Sequence, residues 1–139
     1  AGTVESVLSF CHYTLQDDSL TDYIPYFRDH GVGIINASPL SMGLLSERGI
    51  PKWHPASANL AATCKKAVDH CRSKGYRIEQ LALKYCVDHP EISTTLTGTA
   101  NPENIRQNVR WVEEPFNEQL YLEVRDILMP VFRETWING

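Results

Sequence analysis

At 139 residues, 42% of them hydrophobic and 22% charged, the chain is long enough for one domain with a real core and too short for two. Thirteen basic against 17 acidic residues give a net charge of −4, with no basic patch to hold nucleic acid or an anionic membrane surface. No apolar run approaches the ~20 residues of a membrane span, and the opening AGTVESVLSF lacks the basic flank of a secretory signal.

Val4 to Cys11 reads as a first strand with Val7, Leu8 and Phe10 apolar. His12 to Asp18 reads as a loop carrying His12, Tyr13 and Thr14. A helix is expected from Thr21 or Asp22, both good caps, with Pro25 in its first turn and Gly31 as C-cap glycine. The next stretch, GVGIINASPLSMGLL over Gly31 to Leu45, is an apolar run broken at Ser38-Pro39. Proline disfavours helical geometry in the residue before it, so the run predicts a strand that ends extended at Ser38. It does not alternate, so it reads as covered on both faces, as strands of parallel sheets are. The sequon Asn36-Ala37-Ser38 lies in this strand and precedes proline, which discounts it as a glycan site.

Ser46 to Ala56, with Pro51, Trp53, His54 and Pro55, is a long irregular segment that predicts an ordered flap. Ser57 caps a helix whose Leu60, Cys64, Ala67, Val68 and Cys71 form one apolar face and which Gly75 stops. A further helix spans Ile78 to His89, with Leu81, Ala82 and Tyr85 inward, and ends at Pro90. Ile92 to Thr97 is a short third strand. Asn101 and Pro102 open a helix with Ile105, Val109 and Val112 as its apolar face, and Asn117 opens a last one with Leu120, Val124, Leu128 and Val131 inward. Pro130 and the Thr135-Trp136-Ile137 tail finish the chain. Alternating strands and helices imply an α/β fold with a parallel sheet of about three strands and five helices. A (β/α)8 barrel takes roughly 250 residues, so this chain holds about half of one.

Ligands of such folds sit beyond the C-terminal ends of the strands. Gly98-Thr99-Ala100-Asn101-Pro102 and the following helix N-terminus can approach and hold an anion, with Asn104, Gln107 and Asn108 as polar partners in the first two turns. The same residues read equally as a capped helix with a polar outer face. Ser38-Pro39-Leu40 and Gly43 form either a simple strand-end turn or a second wall of the same pocket. No catalytic constellation stands out: His12 and Tyr13 follow the first strand, where a packed loop is the commoner outcome. Cys86 with His89, or His70 beside Cys71, lacks a third and fourth ligand, so no metal site is expected. Cys11, Cys64, Cys71 and Cys86 form no CxxC pair and read as buried thiols of a reducing, cytoplasmic setting. Trp53 and Trp136 read as packing residues.

Ala37-Ser38-Pro39-Leu40 with Gly43-Leu44-Leu45 resembles the motif after the seventh strand of aldo-keto reductases. Leu96-Thr97-Gly98-Thr99-Ala100 with Asn104-Ile105-Arg106-Gln107-Asn108 resembles that family's eighth-strand nucleotide motif. The resemblance runs from Val4 to the Trp136 tail and is nearest to sugar dehydrogenases of the family. It implies the C-terminal half of a TIM (β/α)8 barrel, strands six to eight plus C-terminal helices, in an enzyme oxidising a sugar, polyol or other secondary alcohol. Ser38, Leu40 and Gly43 would then lie at the pyrophosphate of a nicotinamide dinucleotide. Gly98, Thr99, Asn104, Gln107 and Asn108 would hold its adenosine end, and the flap would cover it. Ser9 would stand in for the family's glutamine, and His12 and Tyr13 would face the substrate. Ala37 replaces the aromatic that stacks on nicotinamide, leaving that role absent or to Tyr13. Gly98 and Asn104 stand where members that take a 2′-phosphate carry basic residues, which favours NAD over NADP. The family's catalytic tyrosine, lysine, aspartate and histidine belong to the first half of the barrel, so no catalytic residue is assigned here. A missing N-terminal half or a second chain would complete the barrel; the alternative is a truncated or split homologue acting as an accessory binding subunit.

Overall fold

A computed structural model describes residues 3–136. Its order is β1 (Ser6–Phe10), a 3-10 turn (Ser19–Tyr23), α1 (Ile24–Asp29), β2 (Gly33–Ala37), a 3-10 turn (Ser41–Gly43), α2 (Ala58–Ser73), α3 (Ile78–Val87), β3 (Thr94–Leu96), α4 (Pro102–Glu113), α5 (Glu118–Leu128) and a 3-10 turn (Met129–Val131). The three strands form one parallel sheet in the order β1-β2-β3. This is the element sequence expected, with five α-helices. Strands are trimmed: β1 starts at Ser6 rather than Val4, and β3 keeps three residues of the expected six. Of the tail, Ile137 lies outside the described residues. Among the described residues, no helix is long and apolar enough to cross a membrane.

Three of the four expected caps form; α1 instead starts after Tyr23, which makes no side-chain cap bond, and Thr21 and Asp22 lie inside the preceding 3-10 turn. Ser57 Oγ accepts from Leu60 N at 3.0 Å, Asn101 Oδ1 from Glu103 N at 3.0 Å, and Asn117 Oδ1 from Leu120 N at 3.1 Å. Pro25 falls in the first turn of α1, and Gly31 follows that helix at φ +65°. The apolar stripe of α2 packs with Leu81, Leu120, Val124 and Leu128 into a helical core that also takes Leu15, Leu44 and Leu45. Those three leucines come from the loops after β1 and β2, so the loops are anchored by core burial, at about 1.5–3 kcal/mol for each leucine. A second cluster, Tyr13, Leu20, Ile24, Ile34, Cys86 and Ile92, fills the space between the sheet and its helices.

Two expectations fail. First, the sheet is covered on one face only. Ile34 and Asn36 of β2 are buried against helices, whereas Leu8 is 58%, Phe10 39% and Leu96 46% exposed on the opposite face. The helices cover one face of the three-stranded sheet, and among the described residues Leu8, Phe10 and Leu96 on the other face stay exposed. Second, α4 does not turn Ile105 and Val109 inward. Both are exposed, and Trp111 is its buried anchor, with the Arg77 guanidinium 5.2 Å over the ring. The bulkier aromatic removes more apolar surface than either aliphatic alone, and its burial goes with the helix rotation seen.

Candidate cofactor-binding face

The C-terminal ends of the strands lie side by side. Phe10 pairs with Ala37, and Ala37 with Leu96, so Cys11, Ser38 and Thr97 emerge from neighbouring positions. Cys11 and Ser38 both have φ of +63°, and Cys11 N donates to Ala37 O at 3.1 Å. The extended Ser38 that Pro39 predicts is therefore not found; the strand ends at Ala37 and turns at once. Local bonds hold the turn: Ser41 N donates to Ser38 O, and Met42 N to Ser38 Oγ at 3.1 Å. Ser41, Met42 and Gly43 continue with φ of 49°, 56° and 103°. Left-handed backbone costs a non-glycine residue roughly 1–2 kcal/mol, and such strain clusters at ligand sites. Gly43 is required by space as well, since a Cβ there would meet Gly49 O at 2.8 Å.

The flap folds back onto this turn. Ser46 Oγ donates to Gly43 O at 2.9 Å, and Glu47 N to the buried Glu79 Oε1 at 3.0 Å. Buried His54 uses both ring nitrogens: Nδ1 accepts from Ala56 N at 3.1 Å, and Nε2 lies 3.3 Å from Ser41 O. Its ring meets Trp136 edge-on at 4.9 Å, so Trp136 packs as expected. Trp53 does not: it is 70% exposed.

The second wall holds together by polar side chains. Thr99 Oγ1 accepts from Asn101 N at 3.1 Å and from Asn104 Nδ2 at 3.0 Å, and Asn108 Nδ2 donates to Thr97 Oγ1 at 3.4 Å. Thr99 keeps its own O–H to donate, whereas the Ser38 hydroxyl, whose oxygen accepts from Met42 N, also bonds the Cys11 thiol. Gly98 has open space: a Cβ there would meet nothing within 4 Å, and its φ is not left-handed. The fold does not demand glycine at 98, whereas close approach of a ligand would. Gln107 lies one turn on, partly buried, and Arg106 pairs with Glu103 on the surface.

Ser9 does not join this group. It pairs in register with Asn36, on the helix-covered face of the sheet, because side chains alternate along a strand and Ile34 and Asn36 point to the helices. Tyr13 does not join it either. It is 4% exposed, its ring stacked on Tyr85 at 4.9 Å with His89 at its edge. Burial pushes its phenol up to about 12. Its carbonyl accepts from Asn36 Nδ2 at 3.1 Å and Cys86 Sγ at 3.2 Å. An aromatic this apolar in its surroundings is worth more as packing than at the mouth, so neither substrate contact nor nicotinamide stacking falls to Tyr13. His12 does lie at the mouth, with 44% of its side chain exposed and Nδ1 3.3 Å from Asp17 Oδ2.

The loop after β1 is where sequence reasoning missed most. Thr14, Leu15, Gln16 and Asp17 are all buried. Gln16 Nε2 donates to Val131 O at 2.9 Å and Glu134 O at 2.7 Å, and Arg133 N returns a bond to Gln16 O. The Arg133 guanidinium holds Asp18 at 2.6 Å and Asp22 at 2.8 Å, and these carboxylates push it well above its usual range. The only sequence signal was a polar Gln-Asp-Asp run, which reads as exposed loop.

Comparison with known proteins fits this arrangement. The profile of the "Aldo/keto reductase family" matches residues 2–128, and the chain belongs to that family. It is 46% identical to L-galactose dehydrogenase of Arabidopsis thaliana, across 99% of this chain and 44% of that protein. It is 30% identical to D-arabinose 1-dehydrogenase of Saccharomyces cerevisiae, across 99% of this chain and 45% of that one. Among solved structures, an aldo-keto reductase of Bacillus halodurans superposes with a TM-score of 0.68 at 21% identity, covering 99% of this chain and 44% of its own length. The chain thus has the aldo-keto reductase fold and spans less than half the length of the relatives it matches.

Proposed function

We propose that this chain is the nicotinamide-dinucleotide-binding portion of a barrel oxidoreductase, comprising strands six to eight, and that the whole acts on a secondary alcohol of a sugar or polyol. The observation that carries this reading is the 46% identity to L-galactose dehydrogenase across nearly the entire chain. The open cradle at Gly98 and the free hydroxyl proton of Thr99 support it, because they suit phosphate and ribose oxygens. The exposed Leu8, Phe10 and Leu96 support the placement in a larger barrel, since they lie on the face that would point to its interior. Four buried free cysteines support a reducing, cytoplasmic setting.

Ser38, Leu40 and Gly43 would hold the pyrophosphate. Gly98, Thr99, Asn104, Gln107 and Asn108 would hold the adenosine end, and the flap would keep water from it. The cofactor, when bound, supplies the hydride acceptor. NAD is preferred to NADP because Gly98 and Asn104 offer no cation to a 2′-phosphate and Arg106 is engaged by Glu103. Neither Ala37, which is small, nor Tyr13, which is buried, offers the nicotinamide an aromatic platform.

Calorimetric titration of the chain with NAD and NADP tests this. Thr99→Ala and Asn108→Ala are each expected to weaken NAD binding about five- to tenfold, the loss of one hydrogen bond. Unchanged affinity in both variants would overturn the site. A chain that binds NAD and oxidises no sugar with a complementary first half present would instead be an accessory binding subunit.

A further inference from the structure

The Asp17 carboxylate is 4% exposed, and its one ion pair is with His12, through Nδ1 at 3.3 Å. Its other carboxylate oxygen accepts from Ser19 N at 2.8 Å. Arg133, the guanidinium nearest in the network, goes to Asp18 and Asp22 instead. Burying a carboxylate without a lysine or arginine is costly. A turn that only needed to satisfy the Ser19 N–H could use a neutral oxygen. The charge is directed at the imidazole Nδ1, which also lies 3.3 Å from Ser19 Oγ. A carboxylate only accepts, so it favours the Nδ1–H tautomer, with Ser19 Oγ able to accept from the same N–H, and leaves Nε2 as an acceptor. Among the described residues nothing bonds Nε2, and the ring is half exposed.

The position of this ring is fixed. His12 stands two residues past the end of β1, at the same end of the sheet as Ser38 and Gly98. Its loop is tied at Gln16 to the carbonyls of Val131 and Glu134. The chemistry at this mouth is also selective. Cys11 to Ser19 contains no lysine or arginine, Asp17 lies beside the ring, and Arg133, the cation bound to this loop, is held by Asp18 and Asp22. An anionic ligand beside the His12 ring would find no free cation on this loop. A hydroxyl finds an oriented acceptor.

We propose that His12, with its tautomer set by Asp17, reads a hydroxyl of a neutral polyhydroxylated substrate, and that Asp17 is its positioning residue. This rests on the sugar or polyol reading of the site and adds the residue pair that recognises the hydroxyl.

The test is a titration of the full chain with L-galactose, with and without NAD, followed by the ring nitrogens of His12 in 15N-resolved NMR. The expected result is a shift confined to Nε2, and none with 2-butanol at the same concentration. His12→Phe is expected to weaken the sugar about tenfold and His12→Gln, which keeps an acceptor near Nε2, by less. Asp17→Asn is nearly isosteric; it is expected to move His12 toward the other tautomer, seen directly in the nitrogen shifts, and to weaken the sugar with NAD affinity unchanged. An unmoved Nε2 at saturating sugar, or equal affinity in His12→Phe, overturns the proposal. Failure to bind NAD strikes the cofactor reading alone, because the sugar titration is scored without it.

Discussion

At the scale of single residues, the glycines separate conformational need from ligand need. Gly43 combines φ +103° with a 2.8 Å clash for any Cβ, while Gly49, at φ +76°, has no neighbour within 4 Å. Gly43→Ala is therefore expected to lose roughly 2 kcal/mol or more in urea unfolding, and Gly49→Ala only about 1. Equal losses would mean that the contact with Gly49 O is easily relaxed. The same scale shows what sequence reading can and cannot reach. The proximity of Thr99 and Asn104 was legible because their motif is local, and the two side chains are hydrogen-bonded. The burial of Tyr13 and the placement of Ser9 on the helix-covered face were not legible, because they depend on which face of β1 and its loop meets the helices. One residue of register reverses that face, and the short β1 carries only a weak pattern. Asp17 was invisible because nothing in a polar run announces a buried carboxylate.

At the scale of elements, the helices were the most legible part. Capping residues and the 3.6 period are properties of a few neighbouring side chains, and Ser57, Asn101 and Asn117 all cap as their chemistry predicts. The exception, α4, had two competing apolar stripes, and the tryptophan prevailed. Between elements, α2 and α5 are joined by a polar clamp. Gln119 Nε2 donates to Glu123 Oε1 at 3.1 Å, His70 Nε2 lies 2.6 Å from Oε2, and Lys74 Nζ lies 3.4 Å from it. Gln119 first, then His70 and Lys74, hold the Glu123 carboxyl down at about 2. A depressed folded-state value stabilises the fold above the ordinary glutamate range and fades as pH falls through it toward 2. Urea midpoints measured between pH 5 and pH 2.5 should accordingly fall less steeply for Glu123→Gln than for the wild type. Parallel curves would show that the clamp is no more than surface decoration.

At the scale of the whole molecule, the sheet has one dressed face and one bare one. The alternation rule failed here for a plain reason: a strand built to be covered twice looks the same whether or not its second cover is present. Apolar side chains such as Leu8, Phe10 and Leu96, left beside open strand edges, favour association. The chain by itself is expected to sediment as more than a monomer at tens of micromolar, and Leu8→Asp with Leu96→Asp to shift it toward monomer. A well-folded wild-type monomer would count heavily against reading this sheet as part of a barrel.

The Gln16 bonds to Val131 and Glu134 join residues 115 and 118 positions apart. Closing so long a loop is slow in any folding reaction. The mouth that carries His12 can therefore take its shape only after the last helix has left the ribosome and docked. Its order of assembly runs opposite to its order in the chain: β1 is made before α5, and the loop that follows β1 is finished only after α5 has docked. Anything fused directly to the C-terminal segment would be felt first at the loop that holds His12, before the sheet or the helical core registers it.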